Sequence, residues 1–243
     1  MHRFYAEESQ IRNGTAVLSA DDSRHAVRVL RLQRGQEAEI IAGGRRYRAV
    51  LADAFENAAS FSLLDPLPTT EPALRITLFQ GLPKADKMEW IIQKAAEIGI
   101  SAIVPVRMAR CVVRLDEKDA ERKTERWRRI AREAGKQSGR CLIPEVSRPL
   151  ALDEIIPRAR SLEACVVPWE EAREPGLRSF FGSRRGLSSL GILIGPEGGI
   201  EPQEIEMLSG CFQPLTLGPR ILRTETAGLV TAAAVLAICG EME

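Results

Sequence analysis

The sequence predicts an α/β protein, a mostly parallel sheet with helices on both faces, preceded by a small β-barrel domain. Three observations carry that expectation. Residues 1–70 hold short strand patterns broken by turn residues, as small barrels do. Asp65-Pro66-Leu67-Pro68-Thr69-Thr70-Glu71-Pro72 then sets three prolines in seven residues, a stiff linker and a natural boundary. After it, apolar strand patterns alternate with helical ones, the arrangement of parallel β–α units. The expected domains are residues 1–70 and 73–243.

The elements follow in order. Asp21 to Leu30 reads as a short helix with an acidic start. Glu37 to Ala42 and Arg45 to Leu51, joined by Gly43-Gly44, form a hairpin signal, and Phe61 to Leu64 is another strand. Beyond the linker, Ala73 to Phe79 is a strand. Lys84 to Ile98 is a helix whose Met88, Ile91, Ile92, Ala95 and Ile98 share a stripe, with Gly99 as its stop. Ile100 to Val106 is a strand, and Asp119 to Gly139 is a strongly charged helix. Ala164 to Val167, Leu190 to Ile194 and Pro214 to Leu217 are short apolar strands; Pro202 to Leu208 and Thr224 to Ile238 are helices. The last carries no charge from Thr226 onward and many small residues, so it reads as buried on all sides, by its own domain or by a second copy.

Composition narrows the chemistry. The chain of 243 residues is 44% hydrophobic, enough for a sizeable core. Its two histidines, His2 and His25, exclude His-rich metal sites and leave little room for an imidazole-based triad. Its five cysteines are widely spaced and form no zinc pattern, so no metal is expected. The N-terminus lacks a signal peptide's apolar segment, and the longest uncharged stretch, 15 residues, is too short to span a bilayer. A soluble, cytoplasmic protein is expected. The net charge of +1 is an average: residues 107–148 alone carry 13 basic against 7 acidic groups, while residues 149–243 carry 8 against 13. Arginine outnumbers lysine 28 to 6, which suits phosphate recognition and equally a GC-rich genome.

Two segments carry the candidate site. Leu190 to Pro202 contains Ile194-Gly195-Pro196-Glu197-Gly198-Gly199: a strand end, a glycine-rich turn and a helix opening at Pro202. It is neither a dinucleotide loop nor a P-loop, since GxGxxG and GxxxxGK[ST] are both absent. Glu197 and Glu201 would repel a phosphate and suit a positively charged ligand; an ordinary tight turn is the plainer alternative. Leu217-Gly218-Pro219-Arg220-Ile221-Leu222-Arg223-Thr224-Glu225-Thr226-Ala227 repeats the logic, with Thr224 read as an N-cap and Arg220 and Arg223 flanking the sheet edge or merely solvated. In the helix from Lys84, the face with Lys84, Lys87 and Lys94 reads as solvated.

These segments, with Arg3-Phe4-Tyr5, His25 to Arg31, Lys84 to Gly99 and Gly135 to Arg140, resemble the SPOUT class of methyltransferases, and within it the RsmE-type enzymes that methylate N3 of a uridine in 16S ribosomal RNA. The resemblance covers nearly the whole chain. It implies a PUA-like barrel and a trefoil-knotted α/β domain, S-adenosylmethionine as methyl donor, and a homodimer acting on the small ribosomal subunit. It also implies that Ile194, Gly195 and Gly199, with Leu217, Gly218, Ile221 and Leu222, hold the cofactor. Loop position makes Arg223 or Arg220 candidates to orient the uracil, and Glu197 or a water the proton acceptor. Arg3, Arg28, Arg31, Arg110, Arg114, Arg132, Lys136 and Arg140 are the candidate RNA contacts. Two alternatives stay open: a ribosome-assembly factor that binds RNA without catalysis, and a SPOUT enzyme with another RNA target.

Overall fold

A computed structural model describes residues 1–184 and 186–242. The chain divides into two units, Met1–Glu71 with Gly139–Leu142, and Pro72–Ser138 with Ile143–Glu243.

The first unit contains β1 (His2–Tyr5), β2 (Ile11–Arg12), β3 (Thr15–Val17), α1 (Ala20–Arg24), β4 (Glu37–Ala42), β5 (Arg45–Asp53) and β6 (Ser60–Leu67). The strand order is β1-β4-β5-β6-β3-β2, with β1 parallel to β4 and the other pairs antiparallel. Gly43 and Gly44 both take positive φ, the two-residue turn that matches strand twist, so Ala42 pairs with Arg45. Phe4 on β1 and Phe61 on β6 are three strand steps apart, roughly 14 Å on a flat sheet. Their rings lie 5.5 Å apart, so the sheet curls round this core. Ser19 caps α1 by accepting from the Asp22 amide, and the helix runs on into a wider turn over His25–Val29.

Gly139–Leu142 belongs to this unit through Glu71. One carboxylate accepts from Arg140 Nη2 at 2.6 Å, Arg140 Nε at 2.9 Å, the Cys141 amide at 2.6 Å and the Leu142 amide at 3.1 Å. The Tyr5 hydroxyl donates to the Arg140 carbonyl at 2.8 Å.

The second unit is built on β7 (Arg75–Gly81), β8 (Ala102–Arg107), β9 (Glu145–Val146), β10 (Leu150–Ala151), β11 (Ala164–Pro168), β12 (Ser189–Ile194) and β13 (Gln213–Leu215). Its order is β10-β8-β7-β12-β11-β13, with β9 also on β8, and every pair is parallel. The helices are α2 (Lys87–Ile98), α3 (Glu117–Ser138), α4 (Ile156–Arg160), α5 (Leu177–Phe181), α6 (Pro202–Leu208) and α7 (Thr224–Ile238). They cover both faces. Leu78 packs under Gly228 of α7, where a Cβ would come within 2.9 Å of it. The next residue, Phe79, points the other way and meets Phe212 beyond α6 edge-on at 5.7 Å.

Three details refine the sequence reading. Helix α2 begins at Lys87, three residues late, because Ala85 takes a positive φ. Helix α3 pairs charges within itself, Arg122 with Asp119 at 2.7 Å, and across its own unit, Arg126 with Glu89 at 2.7 Å and Glu121 with Arg148 at 2.8 Å, and it buries Trp127 in that unit's core. Within the single chain, helix α7 keeps one apolar stripe uncovered at helical spacing, with Thr226, Ala233 and Ala234 half-buried and Val230, Ala237 and Ile238 exposed, so of the two covers the sequence left open its own unit supplies only part.

Candidate active site

Three loops at the carboxyl ends of parallel strands build the site, where open α/β sheets bind ligands. The first follows β12. Gly199 takes φ +77°, and the loop passes so close to β7 that a Cβ on Gly81 would lie 2.7 Å from the Pro196 nitrogen. Pro202 starts α6, where Glu201 and Glu204 form a reciprocal capping box. The second loop follows β13 and turns at Gly218, φ +95°, before α7. The third, residues 169–176, follows β11 and is tied to the second by Trp169 N–H to Leu215 O at 3.1 Å and Thr216 N–H to Pro175 O at 3.0 Å.

Thr224 joins the first two loops. Its hydroxyl donates to the Gly195 carbonyl at 2.6 Å and accepts from Gln80 Nε2 at 2.9 Å. Arg223, not Thr224, occupies the N-cap position of α7, so the capping role read from the sequence is corrected: the hydroxyl serves a tertiary bond.

These loops enclose one cavity of about 730 Å³. Ile194, Gly195, Gly199, Leu217, Gly218, Ile221 and Leu222 all line it, as do Arg220, Arg223 and Glu197. Lys87, Trp169, Glu170, Arg173, Thr224 and Glu225 line it too and were not anticipated. A lysine on a charged helix face reads as solvated, and the 169–176 loop has no recognisable pattern. Gln80 carried a usable signal, a polar residue closing an apolar strand.

Lys87 organises the charge. Its ammonium pairs with Glu197 Oε1 at 2.9 Å and Glu225 Oε2 at 3.1 Å, and the Lys84 amide donates to Glu197 at 3.1 Å. The hydrogen bonds to Glu197 and then Glu225 raise the Lys87 pKa above the ordinary ammonium value. Burial alone would raise Glu197, but hydrogen bonds from Lys87 and nearby backbone amides carry it below the usual carboxylate range. Glu225 is lowered as well, first by its own backbone amide. Glu197 is therefore an ionised, tightly held carboxylate and a weak base.

The candidate RNA contacts scatter in environment. Arg31, Arg114, Arg132 and Lys136 are exposed. Arg28 pairs with Glu56, and Arg3 with Glu39 at 2.8 Å. Arg110 lies beside the first glycine loop and donates to the Gly198 carbonyl at 3.0 Å. Arg140 is corrected: its side chain is 4% exposed and its guanidinium is bound to Glu71, so it has no surface to offer a phosphate. Among the described residues no cluster of His, Cys, Asp and Glu could hold a metal ion, and no helix is long and apolar enough to cross a membrane.

The arrangement can hold an extended ligand with glycine backbone and apolar walls while presenting arginines to a second reactant. Comparison with known proteins agrees with that geometry. Residues 70–236 match the RNA methyltransferase domain family, and residues 18–64 the RNA methyltransferase PUA domain. The ribosomal RNA small subunit methyltransferase E of Bacillus subtilis is 36% identical over 97% of this chain and 96% of its own. The chain belongs to the ribosomal RNA small subunit methyltransferase E family. Another member of that family, from Mycobacterium bovis, is 32% identical over 96% of this chain and 90% of its own. The Neisseria gonorrhoeae member, solved bound to S-adenosyl methionine, superposes with a TM-score of 0.77 at 33% identity, covering 98% of both chains. Like the rest of its family, this chain is an RNA methyltransferase.

Proposed function

We propose that this protein transfers the methyl group of S-adenosylmethionine to N3 of a uridine in the 16S ribosomal RNA of the small subunit, in the cytoplasm. The observation that carries the reading is one cavity onto which both glycine loops and three arginines open. The residues fit the donor. A Cβ on Gly218 would meet no protein atom within 4 Å, so that side of the loop is open to a ligand. Ile194, Leu217 and Leu222 provide apolar wall, and the lining carries three carboxylates, Glu170, Glu197 and Glu225, beside Lys87 and three arginines. Bound there, S-adenosylmethionine supplies an activated methyl group on a cationic sulfur.

The remaining work is positioning, since an in-line displacement needs two reactants held in register. Ile194, Gly195, Gly199, Leu217, Gly218, Ile221 and Leu222 hold the donor. The uracil must leave any base pair, because N3 lies on its Watson–Crick edge. Arg223 and Arg220 face the negative charge that grows on the ring oxygens as N3 loses its proton. Glu197 is the poorer acceptor, being already committed to Lys87, and the proton passes to water. Arg3, Arg28, Arg31, Arg110, Arg114, Arg132 and Lys136 supply the phosphate footprint, whose hold weakens steeply with salt.

The apolar stripe on α7, continued by Ile221 at 84% exposure, is the face for a second copy of the chain. Sedimentation should give a dimer that Val230→Glu splits; a wild-type monomer would remove this part of the reading.

The test of the activity is methylation of small ribosomal subunits from a strain lacking the enzyme, with the product mapped by mass spectrometry. Methyl at uracil N3 is expected, and Arg223→Ala should slow the single turnover by about a hundredfold. A methyl group at another atom overturns the substrate, and full single-turnover activity in Arg223→Ala overturns that residue's role.

A further inference from the structure

We infer that Arg173 grips a backbone phosphate of the RNA strand entering the cavity, and so acts as a positioning residue for the methyl acceptor. This rests on reading the cavity as the site of methyl transfer to RNA. Arg173 stands on the 169–176 loop, which the two backbone bonds from Trp169 and Thr216 pin to the end of β13 and the residue after it. It thereby shares one cavity with Arg220 and Arg223 while coming from a different strand end.

Pairing separates these three from the other cations nearby. Lys87 is taken up by Glu197 and Glu225, and Arg110 by the Gly198 carbonyl and Glu201. The guanidiniums of Arg173, Arg220 and Arg223 make no hydrogen bond or ion pair with protein among the described residues. For Arg173 this is unexpected, because Glu170, Glu171 and Glu174 are its chain neighbours. The Glu170 carboxylate instead lies toward the glycine loop, 3.0 Å from where a Cβ on Gly199 would be. Arg173 itself is exposed.

Three unpaired guanidiniums at one cavity mouth call for external oxyanions. The donor offers a single carboxylate. A nucleotide turned out of its stack brings phosphodiesters on both sides, and a planar guanidinium binds them in a forked pair of hydrogen bonds. With Arg220 and Arg223 directed to the base, Arg173 is left for a flanking phosphate.

Full-length Arg173→Gln and Arg173→Lys distinguish the sources of the anion. For Arg173→Gln, the concentration of unmethylated small subunits giving half-maximal single-turnover rate should rise about tenfold, as for loss of one charged hydrogen-bonded contact. The rate at saturation and the S-adenosylmethionine Kd by calorimetry should stay at wild-type values. The slope of log affinity against log salt should fall by about one, and Arg173→Lys should keep it. Weaker donor binding with unchanged subunit affinity would assign the guanidinium to the donor's carboxylate and overturn the inference. No change in either would make Arg173 a solvated loop charge and overturn it too. A wild-type protein that neither binds the donor nor methylates the subunit would take down the functional reading itself, a distinct outcome.

Discussion

The Thr224 hydroxyl donates to the Gly195 carbonyl at 2.6 Å, joining the first residue of α7 to the first residue of the loop after β12. Gln80 closes the chain from β7, donating to the same hydroxyl at 2.9 Å. Residues 144 apart in sequence thus fix how two ligand-facing loops stand against each other. Thr224→Val keeps the shape and removes both bonds, leaving the Gly195 carbonyl and one Gln80 N–H unpaired at about 1–3 kcal/mol each, while Gln80 Nε2 keeps its bond to the Gly81 carbonyl. The expected outcome is a lower melting temperature and about tenfold weaker S-adenosylmethionine binding by calorimetry, both recovered in Thr224→Ser. Wild-type donor affinity in Thr224→Val would show that the loops hold their geometry without this bond.

Within the protein itself, Gly218 needs its glycine for conformation and not for space. Its φ is +95°, and a Cβ would touch nothing within 4 Å. Gly218→Ala adds backbone strain to the free protein, about 1–2 kcal/mol, which the exposed loop relieves by turning away from its ligand-holding shape, and sets a methyl group on the side open to the ligand. Donor affinity should fall about tenfold with little change in melting temperature. Gly210→Ala, also open in space but without a positive φ, is the matched control and should bind normally.

What the sequence revealed here follows from the range of the interactions involved. Gly43-Gly44, Gly99 and the Pro202 helix start are local devices, and each stands where its residue type requires. The seven residues that the family resemblance implied for the donor, with Arg220, Arg223 and Glu197 named from their loop position, line one cavity. Three partners were hidden because they are distant in the chain. Lys87 meets Glu197 and Glu225, Gln80 meets Thr224, and Glu71 meets Arg140. Arg140 shows the cost of reading charge by type alone, since nothing local separates a buried arginine from a surface one. Thr224 shows the same for caps, its hydroxyl answering to a strand far upstream.

Arg140 and Glu71 form a buried pair, with side chains 4% and 12% exposed. Removing one partner of such a pair strands the other charge and costs about 3–5 kcal/mol. Arg140→Ala should therefore lower the stability of the first unit sharply. Glu71→Ala should be worse, because that carboxylate also holds the Cys141 and Leu142 amides. Guanidinium denaturation followed by circular dichroism tests both. Near-wild-type stability in Arg140→Ala, combined with a reduced salt slope for RNA, would return Arg140 to the footprint.

Cys165 makes the second unit sensitive to alkali. Its thiol donates to the Ala159 carbonyl at 3.4 Å, and burial pushes its pKa from 9.0 up to about 12. Between those values the unfolded chain has released a proton that the folded chain retains, so stability is complete below about pH 9 and declines as pH rises toward 12. The slope from this one group is up to about 1.4 kcal/mol per pH unit. Trp90, Trp127 and Trp169 all lie in the second unit, so tryptophan fluorescence reports its unfolding. The loss of unfolding free energy between pH 8 and pH 10.5 should be smaller in Cys165→Ala than in the wild type, whatever the variant's starting stability. Equal losses would mean that other groups govern the alkaline limb, the buried Cys111 thiol, whose pKa burial also raises, being the first to examine.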